Sequence, residues 1–576
     1  MIGKIIISKN VSVAMRDGIS LRTDIYQLED MKPSPTLLQR LPYNKDESNI
    51  VGNIVDPLRA VQDGYVVVIQ DSRGRFSSKG EFKPFHSEAK DGYDTVEWIA
   101  QQPWSNGNVG MYGVSYVGAL QWLAVSEKPP HLKALVPVAT SLDFYHGWVY
   151  NGGAFELGFS LLWTLGLAPN YLTKSSECSE EAIDTVICAT EQIEELYKTR
   201  PLKNLQMMKE INWYDEWLSH PQYDEYWKKL YEPLKKSIDL PIYHIGGWYD
   251  VFIRGTLDGY NRFSKKTEDF TNSRNKLLIG PWAHSPLWGV YPEKDFGSKS
   301  SATSIDLCGK IIEFFDCYLK GDSELLLNKP SVEIFDMGAG AWKYSTQWPL
   351  PKTTYIPFYF HSQGQANTLE GDGKLSRVKP VVEREDTYLF DPNNPVPTIG
   401  GQTFLPGAKV PTNAGPRDQR VVEQRHDVLC YTTEVLESSL EVIGAVKAII
   451  YASSSAKDTD FTVKLVDVHP DQRAFILTEG IIRGRYRNSF EKEKLLVPNQ
   501  TYEFQIDVGA TANLFKAGHQ IRVEISSSNF PKFDANTNTG GVIAEEQNSD
   551  TIVAKNCIFH NQQFPSRIIL PIINET

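Results

Sequence analysis

The chain has 576 residues and a formal net charge of −12, with 41% hydrophobic and 23% charged residues. That composition is ordinary for a globular protein, and the length corresponds to about three to four domains. The acidic balance argues against nucleic acid or an anionic membrane surface as a partner. No stretch approaches about 18 uninterrupted apolar residues, so no transmembrane helix is predicted.

The cysteines and the N-terminus together predict a cytoplasmic protein. The six cysteines are thinly spread and none forms a C-x-x-C pair, which is typical of reduced thiols in a cytosolic protein. The apolar run at 5–7 is too short for a secretory signal, and no small-residue cleavage site follows it.

Strand-like runs alternate with helical stretches up to residue 143. The run at 64–71 is apolar and β-branched through its middle, as in strands that are buried on both faces. Strands alternating with helices predict a parallel, doubly wound sheet. The strand runs are 5–30, broken in two at 17–18, then 36–38, 64–71, 108–112 and 132–138, and the helical stretches are 91–101 and 119–124.

The pattern changes twice further along the chain. Residues 144–239 have a helical pattern, are rich in Trp and Tyr and lack β-runs, which predicts a helical cap inserted into the sheet domain. Strands resume at 241–245 and 276–280, and a closing helix is predicted over 302–320. Beyond 349–351, short alternating strands predict an all-β jelly roll. The predicted domains are an α/β domain over 1–143 and 240–350, the cap over 144–239 and the jelly-roll β-sandwich over 351–576.

A serine follows the strand run at 108–112, within the sequence GVSYVG at 113–118. Ser115 is therefore predicted at a sharp strand-to-helix turn, where side chains on the flanking glycines would collide. The turn would hold its hydroxyl above the sheet edge, beside the Tyr116 backbone N–H at a helix N-terminus, which stabilises developing negative charge. The pattern predicts a serine hydrolase, with a glycine-bounded turn carrying a solvated serine as the alternative.

A nucleophilic serine needs a base to take its proton and a carboxylate to orient that base. Asp250 and His284 each follow one of the resumed strands, and the order serine, acid, histidine is that of α/β-hydrolases. Taken singly, Asp250 is also a candidate helix N-cap and His284 a loop histidine; taken together with the serine, they favour a catalytic triad. Two rival bases are less suitable, because His244 lies inside a strand run and His146 precedes the acid.

An oxyanion hole needs at least two hydrogen-bond donors. The backbone N–H of Tyr116 is one candidate. The hydroxyl of Tyr43, in the loop after the strand at 36–38, is the other, with simple packing of this side chain as the alternative. That loop contains no H-G-G-G sequence that would supply a backbone donor instead.

Short motifs recur at these candidate residues and beyond them: Tyr43, QDSRG at 70–74, GEF at 80–82, GVSYVG at 113–118, GWYD at 247–250, GPWAH at 280–284, DTDFT at 458–462, KLVDVHP at 464–470 and SSSNFP at 526–531. Together they closely resemble the motifs of the cocaine esterase-like (CocE/NonD) hydrolases, which belong to the X-Pro dipeptidyl-peptidase superfamily. The second glycine of GVSYVG, one residue later than in the general G-x-S-x-G turn, is the form that this family has. The resemblance covers essentially the whole chain.

The resemblance implies an α/β-hydrolase fold with an inserted helical cap and a C-terminal jelly roll, as the patterning predicts. It implies Ser115 as the nucleophile, His284 as the base and Asp250 as the acid that orients it. The Tyr43 hydroxyl and the Tyr116 amide would form the oxyanion hole. Ser115 would attack the carbonyl of a small-molecule ester or amide, and water would then hydrolyse the acyl-enzyme.

No metal ion and no organic cofactor is expected for this reaction. The sequence has no H-E-x-x-H, Walker or dinucleotide-binding motif. Asp458 and Asp460 are interpreted as turn formers rather than as a Ca²⁺ site. The sequence leaves the oligomeric state open, with a homodimer as one alternative.

Aromatic residues are the candidates for the substrate pocket. Phe155, Phe159 and Trp163 recur every four residues in the cap, which indicates either ordinary packing or the wall of an acyl pocket. The resemblance favours the pocket wall most for Trp163. The further pocket candidates are Phe252, Phe404 and Leu405.

Three functions compete on this sequence. The first is a carboxylesterase for small or aromatic acyl esters, and the second is an X-Pro dipeptidyl-peptidase or α-amino-acid ester hydrolase. The second needs carboxylates that bind a free ammonium group, whereas apolar residues follow Asp250 and solvated helix faces explain the acidic cap residues better. The third is a carbohydrate-binding jelly roll on an inactive hydrolase, against which an intact triad argues. The acidic cap residues are Glu156, Asp184, Glu191, Glu194 and Glu195.

Overall fold

The computed structural model describes residues 3–174, 179–235, 238–264, 274–326, 329–406 and 413–573. The strands of its first part are β1 Ile5–Ala14, β2 Ser20–Leu28, β3 Ser34–Leu41, β4 Val66–Asp71, β5 Ser105–Val114, β6 Leu132–Val138, β7 Tyr150–Asn151, β8 Ala154–Phe155, β9 Ile242–Tyr249, β10 Asn275–Ala283, β11 Val332–Asp336 and β12 Ala341–Ser345. All but the β7–β8 pair form one sheet, in the order β1-β2-β4-β3-β5-β6-β9-β10-β11-β12.

The centre of this sheet is parallel, from β4 through β3, β5, β6, β9 and β10 to β11. Antiparallel strands lie at its edges, with β1 and β2 on one side and β12 on the other. Every residue of β4, β9 and β10 is buried, because helices cover both faces of the sheet. This strand order confirms the predicted α/β-hydrolase fold.

The helices lie around the sheet and in the cap. They are α1 Ser48–Val51, α2 Pro57–Gln62, α3 Glu88–Ala100, α4 Tyr116–Ser126, α5 Leu157–Leu172, α6 Glu180–Glu191, α7 Ile193–Tyr197, α8 Asn212–Ser219, α9 Glu225–Tyr231, α10 Ile253–Phe263, α11 Leu307–Phe315 and, within the β domain, α12 Arg420–Glu423. The closing helix starts five residues later than predicted, because the Asp306 side chain accepts the Gly309 N–H and caps α11 at that point. No helix of the described ranges is long and apolar enough to cross a membrane.

The cap differs from its prediction in one respect, since it contains the short antiparallel hairpin β7–β8. Gly152 and Gly153 turn this hairpin with φ values of 55° and 81°, which glycine adopts without strain. The Gly152 carbonyl accepts the Arg483 backbone N–H, and the Phe155 N–H donates to Asp534. The hairpin therefore docks the cap onto the β domain.

The C-terminal part is all β apart from α12 and short helical turns. Its strands are β13 Thr353–His361, β14 Lys374–Ser376, β15 Asp386–Phe390, β16 Leu429–Thr432, β17 Leu440–Ser454, β18 Asp460–Val468, β19 Ala474–Arg483, β20 Tyr502–Phe515, β21 Gln520–Ser526, β22 Ala554–Phe559 and β23 Arg567–Ile573. They follow the order β15-β22-β17-β23-β13-β14-β16-β21-β18-β19, with β20 beside β17. The prediction that the C-terminal domain is all β is confirmed.

The sequence interpretation of Asp458 and Asp460 as turn formers is wrong. The Asp458 carboxylate lies 2.7 Å from Arg485 Nε, and the Asp460 carboxylate lies 2.9 Å from Arg483 Nη2. All four side chains are buried, so each carboxylate is neutralised by a guanidinium in the interior of the β domain.

Candidate active site

Ser115 occupies the single position between the end of β5 and the start of α4. Its backbone lies at φ 63° and ψ −128°, which is strained for a residue with a side chain. The flanking glycines let the turn close. A Cβ on Gly113 would lie 2.1 Å from Val117 Cγ1, and one on Gly118 would lie 2.7 Å from Thr140 Cγ2. The residues of GVSYVG thus form the sharp turn expected for a nucleophilic serine.

Asp250 and His284 lie just after the neighbouring parallel strands β9 and β10, at the same edge of the sheet. His284 Nδ1 is 3.2 Å from Asp250 Oδ1, and both side chains are buried. The same carboxylate oxygen accepts the Phe252 backbone N–H at the start of α10, so Asp250 combines a capping contact with the contact to histidine. Because Nδ1 is engaged with the carboxylate, Nε2 is the ring nitrogen left for proton transfer.

Two phenyl rings pack against the His284 imidazole. The ring centroids of Phe252 and Phe404 lie 5.2 Å and 5.0 Å from that of His284, both nearly edge-on. Phe252 is fully buried and stacks on Trp148 at 4.3 Å. Since Phe404 belongs to the segment between β15 and β16, the C-terminal domain contributes directly to the surroundings of the histidine.

Tyr43 lies in the loop after β3, and its hydroxyl accepts the Trp163 indole N–H at 2.9 Å. The Ser115 side chain lies near enough to this hydroxyl to affect its pKa. Enclosure raises the pKa of Tyr43 to about 12, although Trp163, Ser115 and the charge of Arg75 act in the opposite direction. The phenol is therefore protonated at neutral pH and able to donate a hydrogen bond to negative charge that develops beside Ser115.

Arg75 forms hydrogen bonds with both the loop that carries Tyr43 and the helix that carries Trp163. Its Nε donates to the Pro42 carbonyl at 2.9 Å, directly before Tyr43, and its Nη1 donates to the Leu167 carbonyl at 3.0 Å. Leu167 lies on α5, the cap helix that also carries Trp163. Only 1% of Arg75 is exposed, and burial lowers its pKa to about 10. One buried guanidinium thus links the two elements that meet at the Tyr43 hydroxyl.

A cavity of about 510 Å³ opens at the serine. None of the described residues that line it is Asp, Glu, Lys or Arg, so its wall is formed by aromatic, aliphatic and uncharged polar groups. Of the candidates from sequence, the cavity is lined by Ser115, His284, Tyr43, Phe159, Trp163 and Phe404.

The other candidates lie behind the cavity wall rather than on it. Asp250 and Phe252 pack behind His284, as described above. Leu405 is buried against α5, where a Cβ on Gly158 would lie 2.2 Å from its Cδ2. The Tyr116 hydroxyl accepts the Phe85 N–H at 2.9 Å, so only the backbone N–H of this residue is free to face the serine turn.

The rival histidines lie elsewhere. His244 is buried within β9, where its ring stacks near Trp122, and burial lowers its pKa to about 3. His146 lines a different cavity, between the cap and the β domain, and burial lowers its pKa to about 4. Neither is among the residues that line the serine cavity.

Several lining residues were not identified from the sequence. They are Gln39, Asn49, Asn53, Ser285, Leu287, Trp288 and Thr303, together with further apolar residues. Leu287 and Trp288 follow His284 closely, so proximity along the chain could have indicated them. Asn49 and Asn53 carry no such signal, because only the folding of the segment after β3 brings them to the serine cavity.

The fold and the site define a serine hydrolase of the α/β-hydrolase class, and the comparisons with known proteins give its family. Residues 17–286 match the X-Pro dipeptidyl-peptidase (S15) family, and residues 327–569 match the X-Pro dipeptidyl-peptidase C-terminal non-catalytic domain. The chain is 41% identical over 580 residues to the cocaine esterase of Rhodococcus sp. (strain MB1 Bresler), with 99% of each chain covered. The chain belongs to the cocaine esterase-like (CocE/NonD) family of serine hydrolases, in the X-Pro dipeptidyl-peptidase superfamily.

Two solved structures resemble the whole chain. An aminopeptidase from the marine sediment archaeon Thaumarchaeota archaeon has a TM-score of 0.83 at 26% identity, covering 100% of this chain and 97% of that one. An α-amino acid ester hydrolase has a TM-score of 0.81, also at 26% identity, covering 99% and 97%. Relatives with this architecture therefore include both peptidases and ester hydrolases.

Proposed function

We propose that this enzyme hydrolyses carboxylic esters through an acyl-enzyme on Ser115. The observation that carries the proposal is the convergence of Ser115, Tyr43 and His284 on one cavity, with Asp250 bonded to the far side of the imidazole. Each of these residues comes from a different loop at the same edge of the sheet. The 41% identity to a cocaine esterase over the full chain supports the same reaction class.

The reaction begins when Ser115 Oγ attacks the ester carbonyl carbon while His284 Nε2 takes the hydroxyl proton. The carbonyl oxygen becomes an oxyanion that accepts hydrogen bonds from the Tyr43 hydroxyl and the Tyr116 backbone N–H. The intermediate then collapses, the C–O bond to the alcohol breaks, and the alcohol leaves with the proton from His284. Asp250 keeps Nδ1 protonated and stabilises the imidazolium between these steps.

The second half repeats the same chemistry with water. His284 Nε2 takes a proton from a water molecule, whose oxygen attacks the acyl carbon. The oxyanion forms again in the same hole, the bond to Ser115 Oγ breaks, and the serine regains its proton from His284. The carboxylic acid leaves and the enzyme is restored without any redox change.

The cavity wall favours an uncharged, apolar or aromatic acyl group. Phe159, Trp163 and Phe404 supply aromatic surface beside the serine, and no formally charged Asp, Glu, Lys or Arg lines the described cavity. Aromatic walls bury large apolar area and align flat rings by edge and face contacts. We therefore propose small or aromatic acyl esters as substrates, rather than acyl groups that carry a charge.

The second candidate function is that of a peptidase or an amino-acid ester hydrolase. It is supported by the match to the X-Pro dipeptidyl-peptidase family and by the structural similarity to an α-amino acid ester hydrolase. Such an activity needs a carboxylate facing the substrate's ammonium group. Of the acidic cap residues, Asp184, Glu191, Glu194 and Glu195 are exposed, and Glu156 is buried outside the cavity lining. The absence of a lining carboxylate among the described residues favours the esterase.

The test compares p-nitrophenyl butyrate and p-nitrophenyl benzoate with an X-Pro p-nitroanilide. Ester turnover that exceeds anilide turnover is expected, and Ser115→Ala should abolish it. Ser126→Ala is the matched control, because Ser126 is the last residue of α4, its hydroxyl donates to the Leu123 carbonyl, and it does not line the serine cavity. Faster cleavage of the anilide would contradict the proposed substrate class.

The remaining expectations form part of the same proposal. We propose the domain limits 1–143, 144–239, 240–350 and 351–576, a cytoplasmic location and a homodimer as the alternative to a monomer. Five cysteines are free thiols, which supports the location, and Cys178 lies outside the described residues. Size-exclusion chromatography with light scattering tests the oligomeric state.

A further inference from the structure

A group of possible metal ligands lies in the β domain, away from the serine cavity. Asp467 is on β18, His469 is in the turn between β18 and β19, and His519 directly precedes β21. One ligand-capable atom from each lies within 4.8 Å of the other two. Among the residues the structure describes, no other group of three or more His, Cys, Asp or Glu meets this criterion.

The Asp467 carboxylate faces both imidazoles. Its Oδ1 lies 2.8 Å from His519 Nδ1, and its Oδ2 lies 3.7 Å from His469 Nε2. The two imidazole centroids are 4.3 Å apart. Atoms that bind one Zn²⁺ at about 2.0–2.2 Å lie roughly 3–4 Å from one another, so small side-chain rotations would bring these three onto one ion.

The surroundings hold the carboxylate and leave a small space. The Asn513 amide donates to Asp467 Oδ2 at 3.2 Å, which is the kind of outer contact that orients a ligating carboxylate. A cavity of about 30 Å³ is lined by all three candidate ligands. That volume exceeds the roughly 10–15 Å³ needed for one water molecule, so an ion fits.

The positive charges near the site do not occupy it. Lys294 and Lys516 line the same cavity. The Lys294 ammonium lies 5.7 Å from the Phe475 ring centroid and 6.0 Å from that of Phe296, and it forms no described ion pair with Asp467. The Lys294 charge therefore repels a cation at this site, but the ammonium group does not occupy the space between the three ligand atoms.

We propose that Asp467, His469 and His519 bind one divalent transition-metal ion of the Zn²⁺ type. Two imidazole nitrogens and one carboxylate oxygen suit Zn²⁺ and its neighbours, whereas Ca²⁺ and Mg²⁺ prefer all-oxygen sites. The ion would tie the turn after β18 to the start of β21. Tyr249, the last residue of β9, lines the same cavity, so the site adjoins the strand that ends directly before Asp250. The role is structural, and the ester hydrolysis proposed above needs no metal.

The test is calorimetric titration of the chelator-treated enzyme with ZnCl₂ in a non-coordinating buffer at pH 7.5. One equivalent is expected to bind to the wild type and equally to Ser115→Ala, so the result does not depend on the proposed catalysis. His469→Ala and His519→Ala should each weaken binding by at least about tenfold. His426→Ala is the matched control, because His426 is exposed and belongs to no described ligand group. Lys294→Met should tighten binding several-fold.

Two further measurements test whether each variant folds and which side chains bind the ion. Thermal melting of each metal-free variant shows whether it folds, and added Zn²⁺ should raise the Tm of the wild type but not of a folded His469→Gln variant. With Co²⁺ as the probe, histidine and carboxylate ligation gives weak visible bands, whereas strong near-ultraviolet thiolate absorption would locate the ion on cysteine. Absence of binding, binding unchanged in His469→Ala, or thiolate absorption would each overturn the proposal.

Discussion

The indole N–H of Trp163 donates a 2.9 Å hydrogen bond to the hydroxyl of Tyr43. Trp163 lies on α5 of the cap, and Tyr43 lies in the loop after β3, so this contact joins the cap to the sheet domain at the serine. The Tyr43 oxygen accepts from the indole, which leaves its own proton for the oxyanion in the proposed mechanism. In the proposed mechanism, the cap therefore helps to stabilise the intermediate through Trp163 and Tyr43, and it also forms part of the pocket wall.

Tyr43→Phe removes one of the two proposed oxyanion donors. We expect kcat for p-nitrophenyl butyrate to fall about 10²–10³-fold with little change in KM, because the bond is made to the intermediate and not to the ground-state ester. Tyr171→Phe is the matched control, since Tyr171 lies on the cap helix α5 but outside the cavity lining. Steady-state kinetics measures kcat and KM for both variants. Nearly full kcat in Tyr43→Phe would show that the Tyr43 hydroxyl does not stabilise the oxyanion.

Trp163→Phe retains an aromatic wall but deletes the N–H that bonds Tyr43. We expect kcat to fall about fivefold, because a neutral hydrogen bond contributes about 1 kcal/mol and here it orients the proposed oxyanion donor. In the Tyr43→Phe background the same change should cost much less, since the bond is already absent. A double-mutant cycle on kcat measures this coupling. Additive losses would mean that Trp163 acts on the substrate alone.

Arg75→Met removes two buried hydrogen bonds, to the carbonyls of Pro42 and Leu167. A buried carbonyl left without a partner costs roughly 1–3 kcal/mol, so a lower Tm is expected. We also expect kcat to fall about tenfold through displacement of Tyr43, and this kinetic loss should shrink in the Tyr43→Phe background. Arg75→Lys keeps the charge but not both bonds, and its kcat should be intermediate. Loss of Tm without loss of kcat would limit Arg75 to a structural role.

We expect Glu156 to make the free energy of unfolding depend on pH. Burial raises its pKa from 4.5 to about 7, so the folded state retains a proton that the unfolded state has released. The free energy of unfolding should therefore decrease as pH rises from about 4.5 through 7, by up to about 3 kcal/mol. Glu156→Gln keeps the shape without the charge, so it should match the wild type near pH 5 and exceed it at pH 8.

Denaturant unfolding at pH 5 and pH 8 measures this difference. Glu191→Gln, at an exposed position on α6, is the control and should follow the wild type at both values. Equal pH dependence in the wild type and Glu156→Gln would show that the carboxyl is neutralised in another way.

The sequence predicts the local geometry of this site well, because that geometry depends on residues that are adjacent in the chain. The strand before Ser115, the flanking glycines and the strand ends before Asp250 and His284 are all contiguous patterns. Parallel strands place their carboxyl ends at one edge, so residues far apart in the chain meet there. The hydrogen bond between Asp250 and His284 is a consequence of β9 and β10 being neighbours.

The contacts between distant elements could not be predicted in the same way. Arg75 resembles any other loop arginine until the cap folds over it and presents the Leu167 carbonyl. The β7–β8 hairpin has only two residues in each strand, too few for an alternating pattern to show. Asp458 and Asp460 looked like turn residues because their arginine partners lie more than 20 residues further along the chain.

The identity of the nucleophile is tested most directly by the site of covalent labelling. The enzyme would be inactivated with one equivalent of a fluorophosphonate, digested and mapped by mass spectrometry, with Ser115→Ala treated in parallel. We predict that a single adduct forms on Ser115 in step with the loss of ester hydrolysis, and that Ser115→Ala is neither labelled nor active. Full inactivation with the label on another residue, or ester turnover that survives in Ser115→Ala, would contradict the account.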